Sequence, residues 1–93
     1  MLPLNLSNTE ALGRTYAAAR MLAGLDQLAL AQAAGLSAAT ISNVERGRDT
    51  KPETVRAIRR ALGKEGVLIA FSRNNGLATV TIAFATAEEE DDQ

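Results

Sequence analysis

Residues 27–47 read QLALAQAAGLSAATISNVERG, and this stretch predicts two short helices joined by a tight turn at Gly35. Ala31 and Ala34 are small enough to let the two helices cross closely, and Ser37 can cap the second helix by accepting a hydrogen bond from a free backbone N–H. Apolar side chains at helical spacing would hold the pair together: Leu30, Leu36, Ile41 and Val44. One face of the second helix then points outward, with Ala38, Ala39, Ser42, Asn43 and Arg46 on it.

Two further helices are predicted on either side of this pair. Ser7 or Thr9 can cap a helix that runs to about Ala23 and ends at Gly24. Its inner positions would be Leu12, Tyr16, Ala19 and Ala23, with Leu22 beside them. Asp26 can cap the first helix of the central pair, and Pro52 suits the first turn of a last helix that runs to about Leu62. The inner face of that helix would be Val55, Ile58, Ala61 and Leu62.

The character of the sequence changes after a break bracketed by Gly63 and Gly66. Runs of β-branched and aromatic residues at 67–73 and 77–85 flank Asn74-Asn75-Gly76, a strong signal for a β-hairpin. The segment 1–6 alternates, with leucine at positions 2, 4 and 6, and predicts either an edge strand or an arm packed over the core.

The spacing of the central stretch resembles the lambda-repressor-like (Cro and XRE-type) helix-turn-helix family. The residues that carry the resemblance are Gly24-Leu25-Asp26-Gln27, Leu30-Ala31, Gly35-Leu36-Ser37, Ile41-Ser42 and Glu45-Arg46-Gly47, and it extends over about 12–62. It implies a mostly α fold, a bundle of about four helices, whose second motif helix enters the DNA major groove. A C-terminal hairpin departs from the common family form, which has a further helix. It resembles instead a branch of short regulators with Ala-Ile-Arg-Arg-Ala-Leu, as at 57–62, followed by Gly-Val, as at 66–67.

Length and composition narrow the classes of function. The 93 residues predict a single domain over 1–87 and a disordered acidic tail over 88–93. The chain has no cysteine and no histidine, so thiolate and imidazole metal sites are excluded, no cofactor is expected, and an enzyme is disfavoured. No apolar run is long enough to span a membrane and the N-terminus lacks a signal-peptide pattern, so we expect a cytoplasmic protein.

The distribution of charge favours a nucleic-acid partner more than the net charge of −1 does. Five of the eleven acidic residues lie at 88–92, so the rest of the chain carries ten basic and six acidic residues, a balance of +4. A basic body with a short acidic tail is compatible with DNA binding. The tail either keeps the protein soluble or competes weakly with DNA.

The candidate DNA contacts fall into two groups. Base edges would be reached by Ala38, Ala39, Ser42 and Asn43; asparagine can bind adenine through two hydrogen bonds, whereas the alanines offer only methyl contact or are helix-forming filler. Phosphates would be bound by Gln27, Ser37, Thr40, Arg46, Arg48 and Lys51. The family resemblance implies the role of Gln27, at the start of the first motif helix. Arg14 and Arg56 either extend this patch or are simply exposed.

Two sets of residues are assigned structural roles. The resemblance implies that Arg20 and Glu45 form a salt bridge between the first helix and the recognition helix. The hairpin is predicted to dimerise through its apolar side chains, Ile69, Phe71, Val80, Ile82 and Phe84, because a two-stranded hairpin is marginal alone. The alternative is that it folds over its own helices, with 2–6 as a third strand.

The leading hypothesis is a sequence-specific DNA-binding regulator, a repressor or autoregulator that binds double-stranded DNA as a homodimer. One alternative is an antitoxin that also binds a toxin protein. Another is a protein-interaction module that has the fold without DNA binding.

Overall fold

Four α-helices followed by two antiparallel strands make up the fold in a computed structural model, which describes residues 2–49 and 51–88. The elements are α1 (Asn8–Leu22), α2 (Gln27–Ala34), α3 (Ala38–Glu45), α4 (Pro52–Lys64), β1 (Val67–Asn74) and β2 (Leu77–Phe84). The predicted helical bundle with a C-terminal hairpin is therefore confirmed. The predicted acidic tail lies outside the described residues, apart from Glu88.

Side-chain caps fix where the first helices begin. Ser7 caps α1 in a reciprocal box: its Oγ accepts from the Glu10 N–H at 3.1 Å, and its own N–H donates to Glu10 Oε1 at 2.9 Å. The hydrogen bond from the Ser7 N–H to the Glu10 carboxylate, and after it the Ser7 hydroxyl, lower the pKa of Glu10 below its ordinary value. Asp26 caps α2 by accepting from the Ala29 N–H at 2.7 Å. The start of each helix thus follows from two or three neighbouring residues.

The core lies where the four helices and the base of the hairpin meet. Its buried apolar residues are Tyr16, Ala19, Leu30, Ala31, Ile41, Val44, Ile58, Ala61, Leu62 and Val67. The prediction that Leu22 lies beside the inner face of α1 is wrong, because this side chain is 48% exposed. One residue corresponds to about 100° of helical rotation, so a position next to Ala23 in sequence lies off the inner stripe. A buried residue that was not predicted is Thr54, in the first turn of α4.

Helix α4 ends two residues beyond its predicted end at about Leu62. It includes Gly63 and runs to Lys64, and the chain turns only at Gly66, which has a φ of +85°. The predicted helix end is therefore two residues early, whereas the chain does break at 65–66, inside the bracket of Gly63 and Gly66. A glycine near a helix end costs little when the following residues still supply the closing hydrogen bonds, here from Glu65 to Leu62 and from Gly66 to Gly63.

The hairpin has the predicted two-residue turn, since Asn75 and Gly76 both have positive φ, +53° and +77°. The register pairs Val67 with Phe84 and Phe71 with Val80, so every large β-branched and aromatic side chain lies on one face. Val67 is buried, and Ile69 and Ile82 pack against the helical core. The base of the hairpin thus folds over its own helices.

The N-terminal arm does not form the predicted third strand. In the part of the chain that the structure describes, the sheet has two strands only, and Leu2 and Leu4 are 91% and 75% exposed. The prediction of an edge strand or a packed arm is therefore wrong for these two residues, while Leu6 is half-buried. Pro3 has no N–H to offer to a ladder, which disfavours strand pairing here.

Candidate nucleic-acid interface

The turn between α2 and α3 sets the angle between the two motif helices. Gly35 adopts the left-handed conformation, with a φ of +72°, and the Leu36 N–H closes the turn on the Ala31 carbonyl at 2.8 Å. Ser37 then caps α3 by accepting from the Thr40 N–H at 3.1 Å. Leu30 and Ile41, one from each helix, are fully buried. These contacts hold α3 across α2 with its outer face free.

Helix α1 fixes the position of α3 from the other side, through a close crossing at Gly13. A Cβ at this position would lie 2.5 Å from the Val44 carbonyl oxygen and 2.7 Å from that of Glu45. Both contacts are to backbone atoms, which cannot move aside by a change of side-chain rotamer. Only a glycine lets the two helices approach this closely.

A second tie between α1 and α3 is a two-point ion pair. Arg20 Nε donates to Glu45 Oε2 at 2.7 Å and its NH2 group donates to Oε1 at 3.2 Å. The two side chains are only 14% and 9% exposed, and the hydrogen bonds to Glu45 raise the pKa of Arg20. Arg20 also donates to the Leu25 carbonyl at 3.0 Å, so one guanidinium joins α1, α3 and the connection that leads into α2.

Gln27 extends this network to the first turn of α2. Its Nε2 donates to Glu45 Oε1 at 2.9 Å, which leaves the second N–H of the amide for another acceptor. The backbone N–H groups of Gln27 and Leu28 open the helix without an intrahelical partner. The predicted phosphate role of Gln27 would use these remaining donors.

The outer face of α3 carries the four residues predicted to reach base edges. Ala39 and Asn43 are exposed, whereas Ala38 and Ser42 are half-buried. The Asn43 amide makes no hydrogen bond to the described residues, so its donor and acceptor are both available. The Ser37 and Thr40 hydroxyls lie 2.9 Å apart, and a phosphate would have to share or replace the bond between them.

An arginine-lined pocket lies beside the C-terminal end of α3. It encloses about 310 Å³ between α1 and the loop after α3, and its lining is Leu6, Glu10, Arg14, Glu45, Arg46 and Arg48. Both carboxylates are engaged elsewhere, Glu10 in the cap of α1 and Glu45 with Arg20. Within 2–49 and 51–88 no carboxylate forms a salt bridge with the three arginines. Three arginines and two carboxylates that are already engaged thus line this concave pocket.

The comparison with known families matches the region that contains the two motif helices. A helix-turn-helix family model matches residues 17–69, which is more than half of the chain. The chain belongs to the lambda-repressor-like helix-turn-helix family. The match begins within α1 and ends within β1, so this lambda-repressor-like protein has most of its hairpin beyond the matched region. A comparison with curated proteins finds no match.

The family match supports a DNA-binding helix-turn-helix regulator. None of the described helices is long and apolar enough to cross a membrane. In the described ranges there is also no group of three acidic side chains that could hold a metal ion.

Three features of this interface were not predicted from the sequence. The close approach at Gly13 was missed, although a lone glycine inside a helical pattern is itself a signal of tight packing. The bond from Gln27 to Glu45 has no local signal, because the two residues are 18 positions apart. Arg14 was left open between a DNA contact and simple exposure, and the structure places it in the same pocket as Arg46 and Arg48.

Proposed function

We propose that this lambda-repressor-like protein is a sequence-specific transcriptional regulator, a repressor or autoregulator, that binds operator DNA as a homodimer. The observation that supports this best is the outer face of α3. Ala39 and Asn43 are exposed on this face, and the arginine-lined pocket lies at its end. A recognition helix needs both a face for the groove and cations for the flanking phosphates.

Specificity would come mainly from one side chain and from DNA shape. Asn43 is the exposed residue of α3 that can bind a base through two hydrogen bonds, a contact worth about 1–3 kcal/mol of discrimination. Ala39 can add a methyl contact with thymine. Since these contacts read few positions, the deformability of the operator would supply much of the remaining selectivity.

Affinity would come from phosphates on both sides of the groove. Arg46, Arg48 and Lys51 lie in the segment between the end of α3 and the start of α4, and all three are exposed. The open N–H groups of α2 and the Gln27 amide, which is bonded to Glu45, would bind a second phosphate. A homodimer would repeat both sets on half-sites about 34–36 Å apart.

The test is selection of bound sequences from random duplex DNA, followed by fluorescence anisotropy at several salt concentrations. We expect a two-fold symmetric site in which Asn43→Ala relaxes one position per half-site. Arg48→Gln should weaken binding to all sequences alike and reduce the salt slope by about 1. Arg60→Gln, which removes the same charge from an exposed position on α4, is the matched control and should bind as the wild type does. No retention of any duplex at low salt would refute DNA binding and favour an interaction module of the same fold.

A further inference from the structure

The two outer edges of the hairpin differ in whether their backbone groups are free. In the two-residue turn, Asn74 and Leu77 form a hydrogen-bonded pair, and such pairs alternate along the ladder. The bond from the Ala85 N–H to the Gly66 carbonyl continues the same alternation at the base. The backbone groups of Ala78, Val80, Ile82 and Phe84 therefore point away from β1, along the outer edge of β2.

Helix α4 covers the outer edge of β1. Arg59 donates to the Ile69 carbonyl at 2.8 Å, and its guanidinium lies over the Tyr16 ring, 5.7 Å from the ring centre. Among the described residues, no hydrogen bond reaches the outer edge of β2, although Leu4 and Leu6 of the N-terminal arm line a pocket together with Ala78 and Val80. β2 is thus the edge at which another strand can add.

The sequence of β2 has none of the features that usually protect a free edge. Between Leu77 and Ala87 there is no charged residue and no proline, whereas exposed edges are normally blocked by lysine, proline or a bulge. Its apolar face is also incompletely covered, since Phe71, Val80 and Phe84 remain 39%, 37% and 54% exposed. An uncharged strand can pair with a copy of itself without placing like charges opposite each other.

We propose that two copies of this chain join β2 to β2 antiparallel, about a two-fold axis at Thr81, to form one four-stranded sheet. This deepens the homodimer of the proposed function and rests on it. Only registers that pair even positions with even positions keep both apolar faces on the same side of the sheet. Both helical bodies then pack on that side.

The axis at Thr81 is the register that uses the most edge groups. Ala78 then pairs with Phe84 of the second copy and Val80 with Ile82, which gives four hydrogen-bonded pairs in all. An axis at Val80 would give three and leave Phe84 outside the ladder. The chosen register also sets the large, exposed Phe84 beside a small alanine, where its ring can be covered.

Disulfide trapping tests the register directly, because the chain has no cysteine of its own. Thr81 would face its own copy at a non-hydrogen-bonded position, where Cα atoms lie about 4.5 Å apart, within the range of a disulfide. Thr81→Cys, oxidised with glutathione disulfide, should give a covalent dimer. Thr79→Cys is the matched control on the same exposed face. Its two copies would lie about 14 Å apart, given four residues at about 3.4 Å each, and should stay monomeric on a non-reducing gel.

A charge-swap pair gives a second readout by light scattering and sedimentation. Thr81→Lys places two like charges opposite each other and should raise the dimer dissociation constant by roughly 5-fold, and an equimolar mixture with Thr81→Glu should restore dimers. Thr79→Lys should have little effect. A monomeric wild type at high concentration would refute both this pairing and the homodimer. A dimeric wild type in which Thr81→Cys does not cross-link, or cross-links no better than Thr79→Cys, would refute only the pairing and leave DNA binding to its own test.

Discussion

Two glycines inside helices should respond to alanine in opposite ways. At Gly13 the new methyl would lie 2.5 Å from a backbone oxygen of α3, whereas at Gly63 it would meet only a Leu68 methyl at 3.8 Å, an ordinary contact. Alanine gains up to about 1 kcal/mol over glycine in a helix interior. Overpacking costs typically 1–3 kcal/mol, and a clash with the backbone of a neighbouring helix belongs at or above the upper end of that range.

We therefore expect Gly13→Ala to lose about 2 kcal/mol of unfolding free energy, and Gly63→Ala to gain about 0.5 kcal/mol because it lies near a helix end. For a domain of this size, these values correspond to Tm changes of about −8 to −16 °C and +2 to +4 °C. Urea unfolding followed by circular dichroism, at one fixed protein concentration, measures the unfolding free energy of both variants. Because α1 holds α3 in place, Gly13→Ala should also weaken DNA binding at temperatures where the protein is still folded.

The opposite signs are what the reasoning depends on. If Gly13→Ala is as stable as the wild type or more stable, helix propensity outweighs the crossing of α1 and α3, and this crossing does not fix the recognition helix. A destabilising Gly63→Ala would show that the end of α4 is packed more tightly than the 3.8 Å contact indicates.

Three further predictions concern charged residues. Arg20→Met should cost roughly 3–5 kcal/mol because it leaves the Glu45 carboxylate buried without its cation; adding Glu45→Leu should recover much of this loss in urea unfolding, and no recovery would argue against the ion pair. The lowered pKa of Glu10 predicts that its cap with Ser7 stabilises the fold above the ordinary pKa of 4.5 and that this contribution is lost as the pH falls through the folded pKa. Glu10→Gln should therefore show a smaller drop in stability between pH 7 and pH 3 than the wild type, and an equal drop would contradict this assignment. Arg14→Gln should weaken DNA binding with a salt slope reduced by about 1, and anisotropy titrations with an unchanged slope would exclude Arg14 from the phosphate site.

The candidate site could be predicted from the sequence to the extent that its chemistry is local. Asp26, Gly35 and Ser37 each act on backbone groups within a few residues. The two helix caps and the turn that they form can therefore be predicted without the rest of the fold. The same holds for Asn75-Gly76, whose positive φ angles select the hairpin. The exposure of Leu22 follows from helical rotation alone and was missed, whereas the end of α4 depends on the closing hydrogen bonds that Glu65 and Gly66 donate.

The sequence by itself determined the helix starts, the motif turn, the hairpin turn and the family. These features depend on side chains that act on backbone groups only a few residues away. The tertiary structure alone decided which surfaces are free. The bond from Arg59 to β1 and the approach of α1 to α3 at Gly13 join different elements of the fold, and together with the missing cover on β2 they could not be predicted from neighbouring residues. Such contacts arise from the fit of one element against another, which no local pattern encodes.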